Sequence, residues 1–420
     1  VSAGWLLLGL LAIAFIGSSV ARGRGVAGFG LPSGSEWLLS GMLVGPQLFA
    51  LAGPNELRPF APLIAAGSGF VAVTVGQRFS LLISPRIIDS YPPNRGIRIG
   101  MVGAVLTTAI VALVAYLFLG RFLSLPNRLR LGSAWALGVA FSASTRQLID
   151  WARERLGARG KVIDFLEARV SGAELIAFLG IAPTTTLLSP MEVSVTAFAF
   201  RSVFPVIVGL ILGKLALLLL SQTKEHSEMW GILLGAFFLT TGLCLRLGSS
   251  VMTAGYVFGY VLGRDQRLGV ELRKLTHPTE GAVLLPLLVI AGACVDWAGL
   301  DPLGIVVVAC IVVRFCVLFA FARLVQQGAY SSWKNTWNFG LTLSASGEVT
   351  CLIALEVWLD RPSVVGQMVL ASAVIVSLIG ELYSARAIRS LVPQHEDVDS
   401  RMGLEQSTES ASISHWRGPI

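Results

Sequence analysis

Glu174 lies in a run that is otherwise apolar or small, from Val170 through Ser171, Gly172 and Ala173 to Leu175, Ile176, Ala177, Phe178, Leu179, Gly180 and Ile181. A carboxylate at such a position in a lipid-embedded chain is costly. It usually faces a protein interior or a wet cavity and marks an ion or proton path. Burial disfavours the charged form of a carboxylate, and a cation arriving beside it favours the ionised form. One such group holds a proton or a cation but not both comfortably, which is enough to couple two opposing fluxes. A buried carboxylate hydrogen-bonded to a neighbouring helix is the plainer alternative.

Arg314 sits mid-run between Val312-Val313 and Phe315-Cys316. It is about ten residues from either end of its apolar run, too deep to snorkel, so it needs a partner. Glu174 or Glu348 is the expected one, either as a fixed ion pair or with Arg314 standing in for a cation during part of a cycle. Two Ser-Ala-Ser segments, Ser142-Ala143-Ser144 and Ser344-Ala345-Ser346, interrupt largely apolar stretches. The hydroxyls of Ser142, Ser144, Thr145, Ser344 and Ser346, with carbonyls freed by broken helices, would suit a small desolvated cation. Arg146 and Glu348 follow the breaks and are expected to neutralise the half-helix ends. Asp150, Glu167, Arg169 and Glu356 fall near span ends and read as structural. Asp296 reads as a solvated span end.

The elements that must carry these residues follow from composition. The chain has 420 residues, of which 54% are hydrophobic and only 14% charged, with a mean hydropathy of +0.73. A soluble protein of this size would need far more charge to cover its surface. Apolar windows long enough to cross a bilayer of about 30 Å recur from end to end, about thirteen in all. They fall near 3–21, 36–53, 60–83, 98–120, 132–150, 166–188, 196–220, 229–247, 249–263, 282–300, 302–325, 338–358 and 363–386. The expected fold is therefore an all-α polytopic membrane protein.

The net charge of +7 is not spread as nucleic-acid binding would require. Basic residues gather in alternate loops: Arg22 and Arg24; Arg86, Arg95 and Arg98; Arg146, Arg153, Arg155, Arg159 and Lys161; Arg264, Arg267, Arg273 and Lys274. This positive-inside pattern puts the C-terminus in the cytoplasm and the N-terminus outside, in the inner cell membrane. Arg121, Arg128 and Arg130 are the exception. The first span has no clear cleavage site and reads as a true crossing.

Two halves look alike. The Ser-Ala-Ser segments of spans five and twelve correspond. So do Gly41 to Gly45 of span two with Gly255 to Gly259 of span nine, and Pro62 to Gly67 of span three with Pro286 to Gly292 of span ten. A constant offset of seven spans predicts two inverted repeats, roughly 1–190 and 229–386, joined by a linker helix 196–220. Their broken helices would cross near the midplane, as in secondary transporters. The transmembrane domain is expected over 1–392 and a disordered, Ser- and Glu-rich tail over 393–420. Gly157 and Gly160 predict a turn between two helices.

The five cysteines fall within spans and have no metal-binding spacing, and the four histidines are scattered, so no disulfide, metal site or cofactor is expected. No nucleophile–base set or phosphate loop appears in the spans, which argues against an enzyme.

The motifs resemble the monovalent cation:proton antiporter-2 family, including the Kef-type potassium/proton antiporters. Ser144-Thr145, Gly157, Gly160 and Ala173-Glu174 are similar to that family's Ser-Ser-Thr, Gly-rich turn and acidic-pair helix. Gly347-Glu348-Val349 resembles its Gly-Glu-Phe motif, and Gly292 with Asp296 its Gly-x-x-x-Asp. Arg314 falls where the family has an embedded Lys or Arg. Glu174 stands where the family has Asp, and no nucleotide-binding domain follows the last span, so gating by one is not expected. The resemblance implies alternating-access exchange of sodium or potassium for protons, a homodimer, and a core domain that moves the ion site. An antiporter-fold channel, sensor or effector with a regulatory partner protein is the other reading open to this chain.

Overall fold

A computed structural model describes residues 34–46, 48–83, 93–123, 125–189, 194–223, 225–297, 303–329, 336–361 and 363–414, with Gly9 before them. Beyond Leu391 it describes backbone alone. The first expected span, Arg22, Arg24, Arg86 and Arg417 lie outside the described residues.

Every described element is helical: α1 Ser35–Val44, α2 Ala61–Ile83, α3 Pro93–Phe122, α4 Asn127–Ser142, α5 Gln147–Leu156, α6 Lys161–Leu188, α7 Val195–Leu220, α8 His226–Arg246, α9 Val251–Gly263, α10 Gln266–Ala293, α11 Gly304–Ala329, α12 Thr336–Leu343, α13 Glu348–Asp360 and α14 Val364–Ser414. A short helical lead-in, Pro54–Leu57 and Arg58–Phe60, precedes α2. Among the described residues eight helices are long and apolar enough to cross a membrane, as a multi-pass membrane protein requires. One of the eight is the interrupted stretch Thr336–Asp360; the expectation of about thirteen crossings also counted the first span, α6, the short α1 and α9, and the interrupted pair α4 and α5. The helical backbone of α14 runs on to Ser414, into the stretch expected as a disordered tail.

Both Ser-Ala-Ser segments break their helices. Ser142 Oγ donates to the Val139 carbonyl and Ser344 Oγ to the Leu341 carbonyl, at 2.8 and 2.9 Å. Side chains that take up nearby carbonyls in this way compete with the helical ladder. The chain is extended at Ala143, and regular helix resumes at Gln147 and at Glu348.

Two sequence expectations shift. The stretch from Trp151 to Leu156, beyond the expected span 132–150, is helical because Leu148, Ile149 and Ala152 bury one face while Arg153 and Arg155 occupy the last turn. The turn narrows to residues 157–160. Gly157 caps α5 at φ 65° and Gly160 precedes α6 at φ 103°, both left-handed values that suit glycine. Likewise α10 begins sixteen residues before its apolar window. The Asp265 carboxylate caps it, accepting from the Arg267 and Leu268 amides at 3.1 Å each.

The helices form two bundles. In one, α3, α4 and α6 pack on one another, α11 packs on α3, and α13 and α14 pack together and on α4. In the other, α1 and α2 pack on α10, and α9 packs on α2, α7 and α8. The pairs that look alike in sequence exchange roles here: span two (α1) lies on span ten (α10), and span nine (α9) lies on span three (α2). A two-fold relation between the two halves would produce this exchange. Glycines permit the close crossings. A Cβ at Gly172 of α6 would overlap the Ile97 carbonyl of α3, and one at Gly100 of α3 would overlap the Arg169 carbonyl.

Candidate functional site

The two interrupted helices meet at their breaks, where the Thr145 amide donates to the Ala345 carbonyl at 3.3 Å. Each break leaves carbonyls at the end of one half-helix and amides at the start of the next, which lipid cannot satisfy. Charged side chains meet them. Arg314 of α11 is wholly buried. It donates to the carbonyls of Phe141 (2.8 Å), Ser344 (2.6 Å) and Ala143 (3.4 Å). Arg169 of α6, 2% exposed, donates to Ser144 Oγ (2.8 Å) and the Leu343 carbonyl (3.1 Å). Both cations thus sit at the negative ends of α4 and α12.

Glu348 serves the opposite ends. Its carboxylate accepts from Thr145 Oγ1 (2.7 Å) and from the Arg146 amide (3.3 Å) at the start of α5, and it opens α13 itself. Arg146 pairs with Glu167 and donates to Ser171 Oγ at 3.2 Å. The expected pairing of Arg314 with Glu174 or Glu348 is not what the geometry gives. Three carbonyls converge on the guanidinium fork, and no acid is needed there.

Glu174 remains. It is 1% exposed, it sits in α6 five residues beyond Arg169, and among the described residues its Oε1 has no hydrogen-bond partner. Arg146 and Glu348 are among the charges acting on it. Ser346 Oγ and Thr350 Oγ1 are also buried without a partner. Of the other expected hydroxyls, Ser142, Thr145 and Ser344 donate their hydrogens to protein oxygens, which leaves lone pairs for a cation. Ser344 also shares a hydrogen bond with the Tyr383 hydroxyl at 2.9 Å. Ser144 already accepts from Arg169.

A polar cavity of about 360 Å³ leads from one face of the molecule towards Arg146. Arg78, Asp150, Arg153, Glu154, Arg273 and His277 also line it. Its walls are tied by ion pairs: Arg78 to Glu280, Arg273 to Glu280 (3.0 Å), and Arg153 to Glu167 (2.5 Å) and Asp164 (3.4 Å). Across the cavity Arg78 reaches Asp150 at 4.0 Å.

Sequence reading placed Arg169, Glu167 and Glu356 at span ends and did not single out Arg78, Glu280 or Ser171. The position of Arg169 on the same helical run as Glu174 was the available signal. The basic exception in loop 121–131 has a local explanation. Arg128 donates to the Thr186 carbonyl at 2.9 Å near the end of α6, and Arg130 lies over the Tyr116 ring at 3.7 Å.

No protein-family model matches the chain, and no curated protein matches it. Solved structures do. One is the sodium proton antiporter MjNhaP1 from Methanocaldococcus jannaschii at pH 8, with a TM-score of 0.66 and 16% identity over 91% of this chain and 99% of that one. An electron-microscopy map of the same antiporter gives a TM-score of 0.63 and 16% identity, over 93% and 98%. At that identity the likeness establishes the fold: this chain folds as that antiporter does.

Proposed function

We propose that the chain is a secondary transporter exchanging a monovalent cation for protons by alternating access. Glu174 is the group that carries one or the other. The observation behind this reading is a buried carboxylate oxygen without a partner, beside a crossing of two broken helices whose own end charges are already balanced. A proton or a desolvated cation is what such an oxygen lacks. Ser346, Thr145 and the other hydroxyls at the breaks complete its oxygen ligands. Sodium is the first cation to test, given the fold likeness, with potassium as the Kef resemblance would have it.

The same reading takes the arginine-lined cavity as the cytoplasmic entrance, with the N-terminus outside in an inner membrane. It carries a homodimer over from the family resemblance. The test is dye-monitored exchange in proteoliposomes with sodium, potassium and lithium across pH. Glu174→Gln should abolish exchange while eluting as folded protein. Full exchange by that variant refutes the assignment, and cation flux that needs no opposing proton gradient points to a channel.

A further inference from the structure

We propose that Glu356 is the latch that holds the two bundles together at the face opposite the arginine-lined cavity. Its release opens the transport site to that face. The inference rests on the exchange reading above and names a positioning residue for it.

Glu356 belongs to α13 and is 5% exposed. Its Oε1 accepts from Ser250 Oγ and the Val251 amide, both at 2.9 Å, and from the Met252 amide at 3.5 Å. These groups begin α9, in the other bundle, where amides have no partner inside their own helix. The carboxylate therefore caps a helix across the bundle boundary, with the favourable sign for a helix start. Thr253 adds a second link at the same level, donating to the Phe178 carbonyl of α6 at 2.6 Å. Among the described residues no basic side chain forms an ion pair with Glu356 and its Oε2 has no hydrogen-bond partner, so its charge is held by these donors at Oε1. Asp360 on its own helix and Cys244 on α8 are the ionisable groups acting beside it.

The other face is built differently. At the far end of α9, Gly263 packs on Gln77, next to Arg78. There the bundles part around the 360 Å³ cavity, with Arg78–Asp150 at 4.0 Å between them. The molecule is tied at the Ser250 end and open at the arginine-lined end. Alternating access must undo the tie. Charge-assisted bonds away from water are the strongest contacts to undo, so they weigh most in the balance between the two states. Glu356 lies eight residues beyond Glu348, about 12 Å along the helix, too far to share its site.

The test measures cation KM from each face, in right-side-out and inside-out vesicles. Glu356→Gln keeps the shape and removes the charge; Ser250→Ala removes one donor. Glu356→Gln should lower KM at the Ser250 face relative to the cavity face by about tenfold, and Ser250→Ala should move it less in the same direction. An unchanged ratio in folded protein overturns the proposal. A second measurement needs no transport. In a chain with its five cysteines replaced by Ala and carrying Thr253→Cys, a membrane-impermeant thiosulfonate applied from the Ser250 face should label about tenfold faster once Glu356→Gln is added. Equal labelling rates reject the latch. Faster labelling in a chain that exchanges no ions keeps the latch and rejects the exchange reading.

Discussion

Arg314 Nη1 donates to the Ser344 carbonyl at 2.6 Å, reaching from α11 to the end of α12. The same guanidinium holds Phe141 and Ala143 at the end of α4. One side chain thus ties both interrupted helices at their negative ends. Removing it takes the donor from the Phe141 and Ala143 carbonyls in a dry interior, at about 1 kcal/mol or more each, and leaves Ser344 with the Tyr383 hydroxyl at 3.3 Å. Arg314→Leu should lower the melting temperature in detergent and abolish exchange. Arg314→Lys should recover only part of the stability, because an ammonium lacks the planar fork. A Leu variant that melts with the unmodified protein would show that these bonds do not hold the crossing.

The two intramembrane acids at the crossing should respond in opposite ways to the same change. Glu348 has an acceptor role on each oxygen, to Thr145 and to the Arg146 amide. Glu348→Gln should therefore cost about 1–3 kcal/mol of stability. Glu174 Oε1 has no partner to lose. Glu174→Gln should melt at or above the temperature of the unmodified chain although its exchange is gone. Parallel thermal melts and exchange assays read both; equal destabilisation by the two variants contradicts the assignment of Glu174 as the open site.

Gly172 lets α3 approach α6 two residues from Glu174. A Cβ there meets the Ile97 carbonyl, whereas a Cβ at Gly281 meets nothing within 4 Å. Gly172→Ala should lower the melting temperature and slow exchange, since backbone cannot move aside as a flexible side chain can. Gly281→Ala should match or slightly exceed the original stability, as Ala favours helix over Gly by about 1 kcal/mol. Equal melting of the two variants would mean that α3 shifts freely, and that the position of Glu174 does not depend on this crossing.

Much of this arrangement could be read from residue order. The paired Ser-Ala-Ser segments gave the breaks, Gly157 and Gly160 gave the turn, and Glu174 and Arg314 stood out because their surroundings are apolar. Arg169 and Glu356 read only as structural residues near span ends, and their partners stayed out of view for a physical reason. Apolar windows register burial in lipid, but α6 and α13 are buried in protein, where a charge is tolerated if backbone groups receive it. Arg169 meets a serine hydroxyl and a carbonyl, and Glu356 meets two amides and a serine hydroxyl. Backbone partners have no letter in a sequence. The Arg78–Glu280 pair joins positions 202 apart, a proximity that only the fold creates.

Helix α9 has thirteen residues, about 20 Å of rise, against a hydrocarbon layer of about 30 Å. Its ends cannot both reach the headgroups. Its second end lies beside the arginine-lined hollow, so water there would shorten the apolar path at this point. On the exchange reading, the low-dielectric barrier to an ion beside this helix would be correspondingly narrow, and a smaller rocking of the two bundles would suffice to pass it from one aqueous phase to the other.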